Sequence, residues 1–276
     1  MRAEWPLRYL RGMGTVQGTR ADGSAFSKRV TSRTTRLMIR EPLVSARIEG
    51  VADAPGLEVF EIGTHDVPVA LESVAPLTGL AQLREVALTL SAPVDLGPLR
   101  ACPALRALSL RVAGKEPIDL RALAAHPGLE SVSLGGEDQL ALDLSPLADL
   151  PALKRVWING GEWRALDLSA LRGKPLEHVA IDRGYLTEVD LDAIATPALR
   201  SLSLMNQELE RLVLLPLERC VHLGQLLLGG NEMEWLDVTG VAKHASLRHV
   251  DWPNVKDIFL DEETDVRAPA LAHLRS

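Results

Sequence analysis

The stretch "ALDLSPLADLPALKRVWI", residues 141 to 158, decides how this chain is built. Leu142 to Leu144 read as a short extended segment, Ser145 as a candidate helix N-cap, and Pro146 as the first helical position, where a missing N–H costs nothing. Residues 146 to 150 fit a helical turn or two, which Pro151 ends. Leu153, Val156 and Ile158 then open a strand in which buried and exposed positions alternate. One such unit has an apolar face that it cannot bury alone, so the stretch predicts neighbours of the same kind.

The neighbours are there. The pattern LxxLxL, with Val, Ile, Phe or Trp as substitutes, starts at Leu57, Leu83, Leu105, Leu129, Leu153, Leu176, Leu199, Leu223 and Leu247, at intervals of 22 to 26 residues. A weaker copy begins at Thr34 ("TTRLMI"), and another at Leu271 ("LAHLRS"). In phase with these run the triplets beginning at Val94, Ile118, Leu142, Leu166, Val189 and Leu236, each with a central Asp, and a Pro two residues before the anchor at Pro55, Pro103, Pro127, Pro151 and Pro197. Three signals locked to one period mark a stacked repeat.

From Thr34 to Ser276 the chain resembles the leucine-rich repeat family, with wording in "LSPLADLPALKRVWI" similar to that of bacterial internalin-like repeats. The resemblance implies an α/β solenoid: a right-handed superhelix with a concave parallel β-sheet and short helical or 3-10 turns on the convex side. About ten coils, the last incomplete, would span roughly 50 Å at strand spacing, and residues 1–33 would form a basic N-terminal cap, in part a hairpin. Family repeats often carry Asn eight residues after the first Leu. Here only Asn231 does so; Ser91, Ala113, Glu137, Gly161, Gly184 and Gln207 hold the equivalent places, so those corners must satisfy their backbone by other means.

Composition agrees with a repeat and excludes several functions. Hydrophobic residues make up 46% of the 276 and aromatic ones 4%, so the core is aliphatic and regular. Residues 1 to 40 hold nine Lys/Arg and two Asp/Glu, whereas the remainder holds 21 and 35, a net of −14. An acidic body argues against nucleic acid and suits a basic protein partner. No apolar run is long enough to cross a membrane and the start lacks a secretory pattern, which predicts a cytoplasmic protein.

Residues able to carry chemistry recur at structural positions. Asp95, Asp119, Asp143, Asp167, Asp190 and Asp237 share one column. One carboxylate per coil is too few for calcium, which takes six to eight oxygens, about, per site, so each Asp is expected to accept N–H bonds in its own turn. Cys102 and Cys220 lie five coils, about 24 Å, apart, too far for a disulfide. With His126 and His244, three residues before other anchors, they are expected to pack on the convex side. No phosphate-loop, HExxH or GxSxG motif occurs. The sequence thus predicts no catalytic residue, cofactor or metal.

The candidate site is the set of strand positions that project between the buried ones. The fourth residue after each anchor is mostly small, and Trp157 is the exception. Arg155 and Asn159 flank it on its own strand, His178 and Asp182 stand on the next, and Met205, Leu227, His249 and Asp251 continue the face. An exposed Trp beside an Arg is hot-spot composition, whereas a one-residue slip of register would bury it. Trp163 and Trp252 take apolar repeat positions and are expected to be structural. The predicted function is non-enzymatic protein binding through the concave face, as an immunity, inhibitor or adaptor protein. Alternatives are a regulatory or catalytic subunit, and a structural repeat that self-associates where "APALAHLRS" opens a strand and stops.

Overall fold

The computed structural model describes residues 13–124, 126–136 and 138–275. Expectations for residues 1–12, Glu137 and Ser276 therefore lie outside the described residues. The chain divides into two compact units, Met1–Leu108 and Ser109–Ser276.

The first unit contains β1 (Met13–Arg20), β2 (Ala25–Thr31), β3 (Arg36–Ile39), β4 (Leu43–Arg47), β5 (Val59–Ile62), β6 (Ala70–Leu71) and β7 (Glu85–Leu90). β3, β5 and β7 pair in parallel, residue for residue at repeat spacing, with Leu37, Phe60 and Val86 in one buried row. The hairpin of β1 and β2 turns at Gly23, whose φ of 82° suits a residue without Cβ. It joins β4 and β6 in a second sheet, of order β2-β1-β4-β6. Gly14 and Gly50 let β1 lie directly on the 3-10 turn Glu49–Asp53, since a Cβ at Gly50 would fall 2.1 Å from Thr15 N. Lys28 Nζ donates to Met38 O at 2.9 Å, so the hairpin supplies a donor to β3, the end strand of its ladder.

The boundary between the units falls inside β8 (Ala107–Val112). The second unit continues with β9 (Ser131–Gly135), β10 (Arg155–Asn159), β11 (His178–Asp182), β12 (Ser201–Ser203), β13 (Arg211–Val213), β14 (Gln225–Leu227), β15 (Glu232–Asp237), β16 (His249–Asp251) and β17 (Asn254–Phe259). β9, β10, β11, β12, β14 and β16 form a parallel ladder in that order. On the opposite side of the coils, short strands precede the 3-10 turns of the last coils and pair as a second parallel sheet, β13-β15-β17. The sequence pattern predicts a short extended segment before each turn, but not its pairing into a sheet.

All nine anchor leucines are fully buried. Truncating any one of them to Ala would cost about 2–5 kcal/mol. All six column aspartates bond their own turns: Oδ1 accepts from the N–H two residues on at 2.8 Å for Asp95 and 2.9 Å for Asp119, Asp143, Asp167 and Asp237, and from Ala193 N at 3.3 Å for Asp190. The N-cap position of the 3-10 turn Ser145–Asp149 is thus Leu144 rather than Ser145, and the Asp143 carboxylate just before it accepts the first N–H. Ser145 is the turn's first residue, and its N–H is the one that needs an acceptor.

Gln does the work of Asn at two of the other corners. Asn231 Nδ2 donates to Leu204 O and Leu228 O, and its Oδ1 accepts from Gln207 N. Gln207 repeats the scheme one coil earlier, donating to Ile181 O and accepting from Leu186 N. Gln139, fully buried, donates to Gly114 O at 2.7 Å. On the turn side Cys102 Sγ, Thr196 Oγ1 and His244 Nε2 reach carbonyls of the preceding coil, those of Leu77, Leu176 and Leu217.

One expectation fails. The copy at Leu271 forms no strand: Pro269–Arg275 is a 3-10 helix. Leu271 keeps the anchor role, buried and with its N–H on Ala268 O at 3.0 Å, but Pro269 starts a helix and the Ala- and Leu-rich residues after it continue one. β16 is accordingly the last strand of its ladder.

Candidate partner-binding face

β10 is buried at Val156 and Ile158 and turns Arg155, Trp157 and Asn159 outward, the alternation a half-buried strand requires. Parallel pairing carries these positions across the ladder without slip. Arg155 lies in a row with Ser131, His178, Ser201, Gln225 and His249; Trp157 with Ser133, Ala180, Ser203, Leu227 and Asp251; Asn159 with Gly135 and Asp182. Trp157 is 38% exposed because its immediate row neighbours are Ser133 and Ala180, too small to cover an indole.

Polar groups on this face fall into two kinds. Asp182 is occupied within the sheet: Oδ1 accepts from Ser203 Oγ at 2.6 Å and Met205 N at 2.9 Å. Ser201 Oγ bonds Gln225 Oε1 at 3.2 Å, and the Asp251 carboxylate lies over Gly229, where a Cβ would meet Oδ2 at 2.3 Å. Arg155 is different. Its Nε is shielded from solvent and has no hydrogen-bond partner among the described residues. A shielded donor without an acceptor costs about 1–3 kcal/mol, and it stands two residues from the exposed indole.

Of the nine residues the sequence nominates, β10 and β11 bring together Arg155, Trp157, Asn159, His178 and Asp182. Leu227, His249 and Asp251 form a second group on β14 and β16, and Met205 follows β12. Trp157 and Leu227 are three strands apart, about 14 Å. Ala180 and Ser203, 9% and 6% exposed, floor the gap. Other exposed apolar side chains escape a reading confined to strand positions. Leu140 and Tyr185 lie past the strand ends, Val213 and Leu215 on the turn side, and Ile258 and Phe259 on β17.

Shifted pKa values have structural causes. Hydrogen bonds from the Arg121 side chain, then from its N–H, pull Asp119 down to about 2. The hydrogen bonds of Ser145 lower Asp143, and those of Ser169 lower Asp167. Burial raises both thiols, Cys220 to about 11. Both cysteines are buried, and neither forms a disulfide among the described residues. Among the described residues no three His, Cys, Asp or Glu side chains are grouped as metal ligands would be, and no helix is long and apolar enough to cross a membrane.

Neither a protein-family model nor a curated protein matches the sequence. Solved structures do match. A leucine-rich-repeat protein of Leptospira interrogans superposes with a TM-score of 0.65 at 15% identity over 83% of this chain and 57% of that one. This is a leucine-rich-repeat fold. An internalin of Listeria monocytogenes shares it at a TM-score of 0.55 and 20% identity, over 85% of this chain and 72% of that one. So does a chain of the Toll–Spätzle complex of Drosophila, at 0.59 and 16%, over 82% and 34%. The chain spans little more than half of the Leptospira protein and a third of the Drosophila one. In this leucine-rich repeat the short parallel strands form a hydrogen-bonded ladder, and Trp157 is a large apolar side chain exposed on it, beside the half-buried Arg155.

Proposed function

We propose that the chain is a non-enzymatic protein-binding module that engages its partner through the strand face, with Trp157 and Arg155 as the energetic centre. The observation that carries this reading is the pairing of an exposed indole with a shielded, unpartnered Arg155 Nε among small side chains. A partner that covers Trp157 and offers an acceptor to Arg155 relieves both at once. The ladder is already hydrogen-bonded, so association orders few side chains and little backbone. Leucine-rich-repeat structures of proteins in complex with a ligand, such as Toll with Spätzle, support protein binding as the use of the fold.

The finer reading is a bacterial inhibitor, immunity or adaptor protein acting on a basic partner, in keeping with the acidic body. Buried thiols outside any disulfide suit the cytoplasm. The test is affinity capture from the source lysate by the wild type and by Trp157→Ala with Arg155→Ala. The protein recovered is then purified and titrated calorimetrically against both. The expected loss is about 2–4 kcal/mol, roughly 30- to 1,000-fold in Kd. Unchanged affinity in a double variant that melts like the wild type would place the binding surface elsewhere.

A further inference from the structure

The inward residues of the turn-side sheet are sealed coil by coil until the last. Leu212 of β13 is 5% exposed, Leu236 of β15 is 0%, and Ile258 of β17, in the same row, is 37%. In the adjoining row Met233 is 2% exposed, whereas Val255 is only half-buried. Each strand of a stacked repeat is covered by the next, so cover stops at Val255 and Ile258. The helix Pro269–Arg275 closes the strand side of this end, burying Leu271 and setting His273 edge-on to Trp252 at 5.4 Å. Among the described residues β17 pairs with β15 alone and its outer edge is open.

Beside that edge lies an open pocket of about 720 Å³, lined by the apolar Ile258, Leu260 and Val266 and by the carboxylates Asp261, Glu262 and Asp265. Residues 254–267 hold five carboxylates and two cations. Both cations are spent within the chain: Lys256 Nζ sits 3.2 Å from Glu234, and Arg267 Nε 2.6 Å from Asp265. A Lys on an edge strand ordinarily blocks pairing, but Lys256 is turned back onto β15. Asp257, Glu262 and Glu263 have no cation partner among the described residues.

We propose that β17 is a docking edge for a basic, strand-forming segment of a protein partner. The segment pairs along Asn254–Phe259, lays apolar side chains over Val255 and Ile258, and sets Lys or Arg against Asp257, Glu262 and Glu263. Strand addition takes its affinity from main-chain hydrogen bonds and its selectivity from alternate side chains. The carboxylates make the selected charge positive. Edge-to-edge pairing with a second copy is disfavoured by the same charges, which it would double. The site is separate from the Trp157 face, since β10 and β17 belong to different sheets.

The test uses the full chain and a fluorescein-labelled peptide of about nine residues, alternating Lys and Val, long enough to span a strand. Controls are a Glu/Val peptide and a Lys/Val peptide N-methylated at alternate residues, which keeps the charge but removes one edge's donors. Binding is read by anisotropy, and its place by amide exchange at residues 254–259. The Lys/Val peptide is expected to bind, to protect β17, and to lose about tenfold or more in affinity with Asp257→Lys, Glu262→Lys and Glu263→Lys combined. The N-methylated and Glu/Val peptides are expected not to bind, and Trp157→Ala to change nothing. Equal binding by the charge-reversed variant or the N-methylated peptide, protection elsewhere than β17, or no binding at millimolar peptide each overturns the proposal. So does a dimer in light scattering that Ile258→Glu abolishes.

Discussion

Asn231→Ala tests whether the corner side chains, rather than the strands alone, hold one coil to the next. Asn231 is fully buried between β14 and β15, with Nδ2 at 2.7 Å from Leu204 O and 2.6 Å from Leu228 O, and Oδ1 accepting from Gln207 N at 3.2 Å. Alanine leaves two carbonyls and one N–H without these partners in a site closed to water. At about 1–3 kcal/mol for each buried group left unpaired, and with some relief by local relaxation, the cost should be about 3–5 kcal/mol. That is a large part of the 5–15 kcal/mol, about, that holds a typical domain together. Urea unfolding followed by circular dichroism should show a lower midpoint, with amide exchange fastest at β14 and β15, the strands that flank the corner. Asn231→Asp sharpens the test. It sets an acceptor against two carbonyls, so at neutral pH it should be less stable than Asn231→Ala. It should recover partly once the carboxyl, its pKa raised by burial, protonates and can donate once. A cost below about 1 kcal/mol for Asn231→Ala, or an Asn231→Asp variant as stable as wild type at pH 7, would refute the reasoning.

Asp119 titrates at about 2, below its ordinary 3.8, because Arg121 donates to it. A group depressed in the folded state adds stability that is complete above the ordinary carboxylate range and is lost as pH falls from about 4 to about 2. Arg121→Gln should move the Asp119 midpoint upward in a carbon-detected NMR titration and shrink that acid-side loss; an unmoved midpoint would show that Arg121 is not the cause. Cys220, fully buried and raised to about 11, should resist iodoacetamide at pH 8 in the native protein and react at an ordinary thiol rate in urea. Equal rates in both states would contradict its burial.

What could be read from the sequence was what each coil decides locally. The anchor leucines alternate with exposed neighbours over a few residues, and the column aspartates bond N–H groups two residues away, so both were visible in a single coil. What depends on the next coil was not. The triplets at Leu142 and Leu236 look alike, but only the second lies in a turn-side strand, because β13 and β17 flank it. The copy at Leu271 has its anchor buried and still curls into a helix.

The strand face shows the same division and gives it a functional consequence. That Trp157 faces outward follows from alternation, and that it is uncovered follows from the small residues on its neighbours. Which polar groups remain unsatisfied depends on side chains 20 or more residues away: Asp182 spends its carboxylate on Ser203 and Met205, and Ser201 on Gln225. In the proposed binding the nine nominated residues should therefore contribute unequally. A partner gains little from groups already bonded within the sheet, since it must break one bond to make another. It gains most where the sheet has left a donor shielded and unpaired, at Arg155, and a large apolar surface in water, at Trp157. Binding energy on this face should accordingly concentrate on β10, with the β14 and β16 residues contributing shape.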